Sequence, residues 1–174
     1  MIKDGMSILD RVLFGVRKEF ADMLNLDMPV KVNCHLQLFG PDGKLKEERH
    51  IHNQVQLDGK YDAAEQLLAS PGKAKAAWME VGTGSGQPNT SGTILASYIS
   101  GSRTACSPAT ARALGVVTYQ CTFGAGVGTG AITEIGLFNV VTQNTADMWL
   151  YSSFSVINKG ANDSLAVTWT LTYS

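Results

Sequence analysis

The sequence predicts a mainly β protein of the α+β kind: an antiparallel β-sandwich or open barrel with an N-terminal helix and one short additional helix. Three observations carry this expectation. In the last stretch Leu165, Val167, Trp169, Leu171 and Tyr173 alternate with Ala166, Thr168, Thr170 and Thr172, the period of a strand with one covered face. Three earlier runs, residues 114–123, 131–138 and 148–154, are set off by Gly, Asn and Asp loops at the spacing typical of sandwiches and barrels. Near residue 30 the apolar period changes from that of a helix to two.

The front of the chain reads as a helix. Ile8, Val12, Leu13, Val16, Phe20, Met23 and Leu24 recur at helical spacing among Asp10, Arg11, Arg17, Lys18 and Asp22, with Ser7 as N-cap and Pro29 as the stop. This divides the chain into a helical arm, residues 1–28, and a sandwich-like domain, residues 29–174. From Val30 to Leu38 apolar and polar residues alternate, and Gly40-Pro41-Asp42-Gly43 turns the chain into a charged return strand reaching Val55. Asp58 is positioned to cap a second helix whose stripe is Tyr61, Ala64, Leu67 and Leu68, ended by Ser70-Pro71-Gly72. Residues 76–81 form a compact strand around Trp78, followed by a glycine-rich loop. Residues 90–112 carry no clear pattern.

Composition narrows the function. A chain of 174 residues with 44% hydrophobic and 17% charged residues is an ordinary globular domain able to bury a core without disulfides. Its net charge of −1, from 14 basic and 15 acidic residues, gives no excess of cations for phosphates or anionic lipid, so neither nucleic acid nor membrane is expected as a partner. Apolar runs are far shorter than the roughly 20 residues that span a bilayer, and Met-Ile-Lys-Asp-Gly is not a signal-peptide start, so a cytoplasmic site of synthesis is expected. Cys34, Cys106 and Cys121 are odd in number and form no CxxC pair, which points to reduced, partly buried thiols.

No constellation of reactive residues emerges. Gly82-Thr83-Gly84-Ser85-Gly86 and the Gly124–Gly130 stretch lack the third glycine of GxGxxG, with Gln87 and Thr129 in its place, and no helix pattern follows either. His50 and His52 share one face of the return strand, and His35 on the partner strand falls opposite Arg49 or close to His50. Three metal ligands are conceivable there, but polar histidines on a wet hairpin are the simpler reading, and no metal is assigned. Cys34 and His35 point to opposite faces, which is wrong for a nucleophile pair. Glu47 and Glu48 lie among Lys46 and Arg49 as a solvated strand face. Glu134, a single charge in an apolar run, is expected at a rim beside Ile132 and Gly136, or paired with Arg103 or Arg112. Trp78, Trp149 and Trp169 sit in strand patterns and read as core. No catalytic residue, cofactor or metal ligand is therefore expected.

The order of motifs adds a resemblance. Val81-Gly82-Thr83-Gly84, then Ile132-Thr133-Glu134-Ile135-Gly136-Leu137-Phe138-Asn139, then Asn158-Lys159 and the terminal Leu165–Leu171 run resembles small virion proteins of tailed bacteriophages. Asn53-Gln54-Val55 before a short helix is similar to the region preceding the VGTG loop in those proteins. The resemblance covers residues from about 50 to 174 and implies a non-enzymatic β-sandwich module of the virion, assembled in the host cytoplasm. The leading expectation is a head decoration or cement-like protein bound to the major capsid protein or other virion proteins as a homo-oligomer. The alternatives are a tail, collar or fibre adaptor, and a carbohydrate- or receptor-binding module.

Overall fold

In a computed structural model, residues 30–52, 54–66, 70–85, 93–107, 115–143 and 148–173 are described. They belong to one compact unit, Val30–Tyr173. The predicted helix at residues 7–27, with its Ser7 cap, and Leu67, Leu68 and Arg112 lie outside the described residues.

Among the described residues, nine strands form two fully antiparallel sheets. The first contains β1 (Val30–Phe39), β2 (Leu45–His52), β6 (Val116–Phe123) and β9 (Ser164–Tyr173), in the order β2-β1-β9-β6. The second contains β3 (Gln54–Val55), β4 (Trp78–Gly82), β5 (Thr104–Ala105), β7 (Gly130–Phe138) and β8 (Met148–Lys159), in the order β3-β8-β7-β4-β5. The mainly β expectation holds, and the two sheets share one core. Val32, Cys34, Leu36 and Leu38 of β1 and Leu165, Val167, Trp169 and Leu171 of β9 face Met79, Val81, Ile135, Leu137, Leu150 and Ile157 of the second sheet. Each large side chain withdrawn from water in this way stabilises the fold by roughly 1.5–3 kcal/mol before entropy is counted. The chain passes between sheets at β2–β3, β5–β6, β6–β7 and β8–β9. On one side the sheets are also joined by a bridge between Ser107 and Gln120, so the sandwich is stitched at that edge as a barrel would be.

The first hairpin turns where the Gly-Pro-Asp-Gly signal sits. Gly43 adopts φ 75°, which a side chain would resist, while its N–H donates to the Gly40 carbonyl at 3.0 Å. A bulge between Leu38 and Phe39 adjusts the register, and His35 pairs with His50.

The second helix, α1 (Leu57–Glu65), differs from its sequence reading in face and in cap. Gln56 is the N-cap residue, with no side-chain cap bond, and Asp58 lies inside the helix. Tyr61 is 67% exposed and Ala64 is exposed, whereas Gly59 and Asp62 are buried. The reason is polar docking: the Asp62 carboxylate accepts the Trp149 indole N–H at 2.8 Å and the Asn139 amide N–H at 3.0 Å. A Cβ at Gly59 would stand 2.4 Å from the Trp149 carbonyl oxygen, so only glycine allows this approach.

Around the C-terminal half of β7 the second sheet is covered on both faces, which explains the unbroken burial of Glu134–Asn139. Its outer side carries a small cluster of Phe138, Met148 and Tyr151 with Leu95, flanked by Trp78. Residues 93–103, unreadable from sequence, form the loop that supplies this cover. Ser102 within it is fully buried and bonds both the N–H and the carbonyl of Val81.

Candidate functional site

Glu134 is the clearest departure from expectation. It is neither at a rim nor paired with Arg103. A register shift between Ile132 and Glu134 breaks the alternation, sending Ile132 into the shared core and Glu134 to the outer side, where it is fully buried. Its Oε1 accepts the N–H groups of Gly84 at 3.0 Å and Ser97 at 2.7 Å, and its Oε2 accepts Ala96 N–H at 3.1 Å and the Tyr151 hydroxyl at 3.2 Å. Thr133 adds a bond from its hydroxyl to the Gly84 carbonyl at 2.7 Å. Glycine is needed on the other side: a Cβ at Gly82 or Gly84 would lie 2.5 Å from Glu134 Oε1. The VGTG loop is thus a cradle for an internal carboxylate.

The rest of the Ile132–Asn139 run is used in the same way. Gly136 leaves room for the Phe138 ring, which a Cβ would meet at 2.6 Å, and the Arg103 guanidinium lies 3.6 Å above that ring. Arg103 donates to Glu80 Oε2 at 2.9 Å and to the Val140 carbonyl at 3.0 Å, and Gln143 donates to Glu80 Oε1. Burial pushes the Glu80 carboxyl up and the Arg103 guanidinium down, while the bonds from Gln143 and Arg103 oppose the first shift and Glu80 opposes the second. This buried network ties the covering loop to the second sheet through Glu80, Arg103 and Gln143.

The thiols are similarly enclosed. Burial raises Cys34 far above the usual thiol range and pushes Cys106 and Cys121 up to about 12. All three are free. Among the tryptophans, Trp149 and Trp169 are core and Trp78 is half-buried against the outer cluster. Lys159 is buried to 2% exposure, donating to the Gly124 carbonyl at 2.9 Å; burial lowers its pKa, with Asp163 opposing. Asp163 in turn is held below the usual carboxylate range by Lys46, bonded at 2.8 Å, and by the Gly160 N–H.

The outer face of the first sheet is accessible over much of its area. Its registers place side chains in three rows across four strands: His52, Asn33, Thr170, Thr118; His50, His35, Thr168, Gln120; and Glu48, Gln37, Ala166, Thr122. This is a polar, short-chained surface with one dense spot. His35 Nε2 lies 2.6 Å from Glu48 Oε1, the Gln37 amide donates to the same oxygen at 3.1 Å, and the His35 and His50 rings stack with centroids 4.2 Å apart and planes 9° from parallel. The histidine bond pulls the Glu48 carboxyl below its ordinary value. His52 stands apart, its Nδ1 2.8 Å from Asn33 Oδ1. Glu47 pairs with Arg49 along the strand. Sequence reasoning found the three histidines and their strands; the stacked pair with Glu48 depended on a register that one bulge decides.

No helix among the described residues is long and apolar enough to cross a membrane. No protein-family model matches the chain, nor does any curated protein or solved structure.

Proposed function

We propose that this chain is a non-enzymatic structural protein of a tailed-bacteriophage particle, a decoration or cement protein that binds the assembled head as a homo-oligomer. The observation that carries this reading is the use made of the motifs behind the phage resemblance. Gly82, Gly84, Thr133, Glu134, Gly136, Phe138 and Asn139 are all spent on internal contacts, leaving none of them for chemistry on a substrate. The polar, threonine-rich outer face of the first sheet suits burial against other protein surfaces, where a specific interface needs on the order of 1,000 Å². On a repeated lattice many modest contacts add through avidity. Its partners in this reading are the major capsid protein or neighbouring virion proteins, with no nucleic acid or membrane contact.

A tail, collar or fibre adaptor is the second reading, favoured by the same motif order. A sugar-binding module is less well supported, because Trp149 and Trp169 lie in the core and offer no stacking platform. Quantitative gel analysis of purified particles separates the first two. Copies in the number of the head lattice support decoration, a few copies per particle point to the adaptor, and absence from particles rejects both.

A further inference from the structure

Among the described residues, one group of three side chains gathers donor atoms of the kinds that bind transition metals. His35, Glu48 and His50 each offer one atom, and these lie within 4.8 Å of one another. We propose that they bind a divalent ion of the zinc class, through His35 Nε2, His50 Nε2 and Glu48 Oε1, with water in the remaining position.

The backbone already sets the arrangement. His35 and His50 are direct partners across β1 and β2, and Glu48, two residues before His50, projects from the same side of the strand. A tetrahedral ion with N and O donors at about 2.0–2.1 Å places those donors roughly 3.3 Å apart. Here Glu48 Oε1 is 2.6 Å from His35 Nε2 and 3.9 Å from His50 Nε2, values that bracket the requirement. Ligation by both imidazoles requires the rings to tilt out of their near-parallel stack, so that each in-plane lone pair points at the ion. The stacked rings are the pose that puts both Nε2 atoms near one carboxylate.

The donor set selects the ion. Two imidazoles and a carboxylate suit zinc, nickel, cobalt or copper, whereas magnesium and calcium prefer all-oxygen surroundings. The Gln37 amide bonded to Glu48 Oε1 steadies the carboxylate as outer-shell partners of metal ligands do. Ligation through Nε2 requires the lone pair there, so the neutral His35 ring carries its one proton on Nδ1 in the bound form, a change of tautomer open to any neutral imidazole.

The test uses the untagged full chain, titrated calorimetrically with zinc chloride and separately with nickel chloride, and followed with cobalt chloride by its visible d–d absorption. One equivalent per chain is expected, with His35→Asn, His50→Asn and Glu48→Gln each weakening affinity by at least about tenfold. His52→Asn, on the same face but outside the triad, leaves affinity unchanged, and magnesium and calcium chloride give no heat. Circular dichroism confirms folding of each variant, all of which alter surface positions. The absence of heat and of a cobalt spectrum in the native chain overturns the proposal, as does binding that survives the His35→Asn/His50→Asn double change.

Discussion

Glu134 is a carboxylate with no exposed surface, and it is tolerated there because four donors replace the water it has lost. Removing it strands backbone N–H groups as well as deleting a charge, so Glu134→Ala is expected to lower stability by roughly 3 kcal/mol, read from the urea midpoint. Gly84→Ala attacks the same joint from the other side. Its methyl group would meet Glu134 Oε1 at 2.5 Å and the Ala96 Cβ at 2.7 Å, and a loss of about 1–3 kcal/mol is expected. A residue that merely capped an exposed loop would show neither loss. The sequence marks Glu134 as a lone charge in an apolar run, but three of its four partners are main-chain groups 37 to 50 positions away, which have no residue signature, and the fourth is the Tyr151 hydroxyl. The His35–His50 contact was half legible: alternation names the strands and the shared face, while the pairing needs the turn length and the bulge after Leu38.

For whole elements, strands with one wet face were the readable ones. β1 and β9 were visible end to end because each alternates between the core and solvent. β7 was located to within a residue, but the place of Glu134 on it was not, because a loop covers its outer side, so burial ceases to alternate, and a register shift changes the phase within the strand. The helix α1 misled for a different reason. Apolar spacing locates a buried face only when apolar contacts do the docking, and here a glycine and an aspartate do it. Gly59→Ala would add up to about 1 kcal/mol of helix propensity, yet its methyl group would collide with the Trp149 backbone. A net loss is expected, with faster amide exchange confined to α1 and the adjoining part of β8. Asp62→Ala should reproduce that local loosening by removing the acceptor of the Trp149 and Asn139 N–H groups.

Taken as a whole, the molecule should be sensitive to alkali. Unfolded thiols titrate near about 8.5, whereas burial holds Cys106 and Cys121 up to about 12 and Cys34 beyond that. The unfolded chain gives up these protons first as pH rises. Their stabilising contribution is therefore complete below the ordinary thiol range and is lost progressively from about pH 8.5 towards pH 12. Tyr119, raised by burial to about 12, adds to the same slope above about pH 10. Melting temperatures recorded between about pH 8 and pH 11 should fall, and should fall less steeply in a Cys106→Ala/Cys121→Ala variant. Under non-denaturing conditions near neutrality all three thiols should resist a soluble disulfide reagent, and should react once urea unfolds the chain.

The pairing of β1 with β9 reaches beyond equilibrium stability. These strands are matched at ten successive positions, from Val30 with Tyr173 to Phe39 with Ser164. During synthesis β1 leaves the ribosome first and β9 last among the described strands, so the middle of the first sheet stays open until β9 emerges. Until then β1 has only β2 beside it, and Val32, Cys34, Leu36 and Leu38 lack the strand that flanks them in the finished sheet. Such long-range closure makes for slow folding and an interval of exposure to aggregation. A nascent chain stalled before residue 164 should be a chaperone client, and release of the last ten residues of the sandwich should be the step that commits it to the native state.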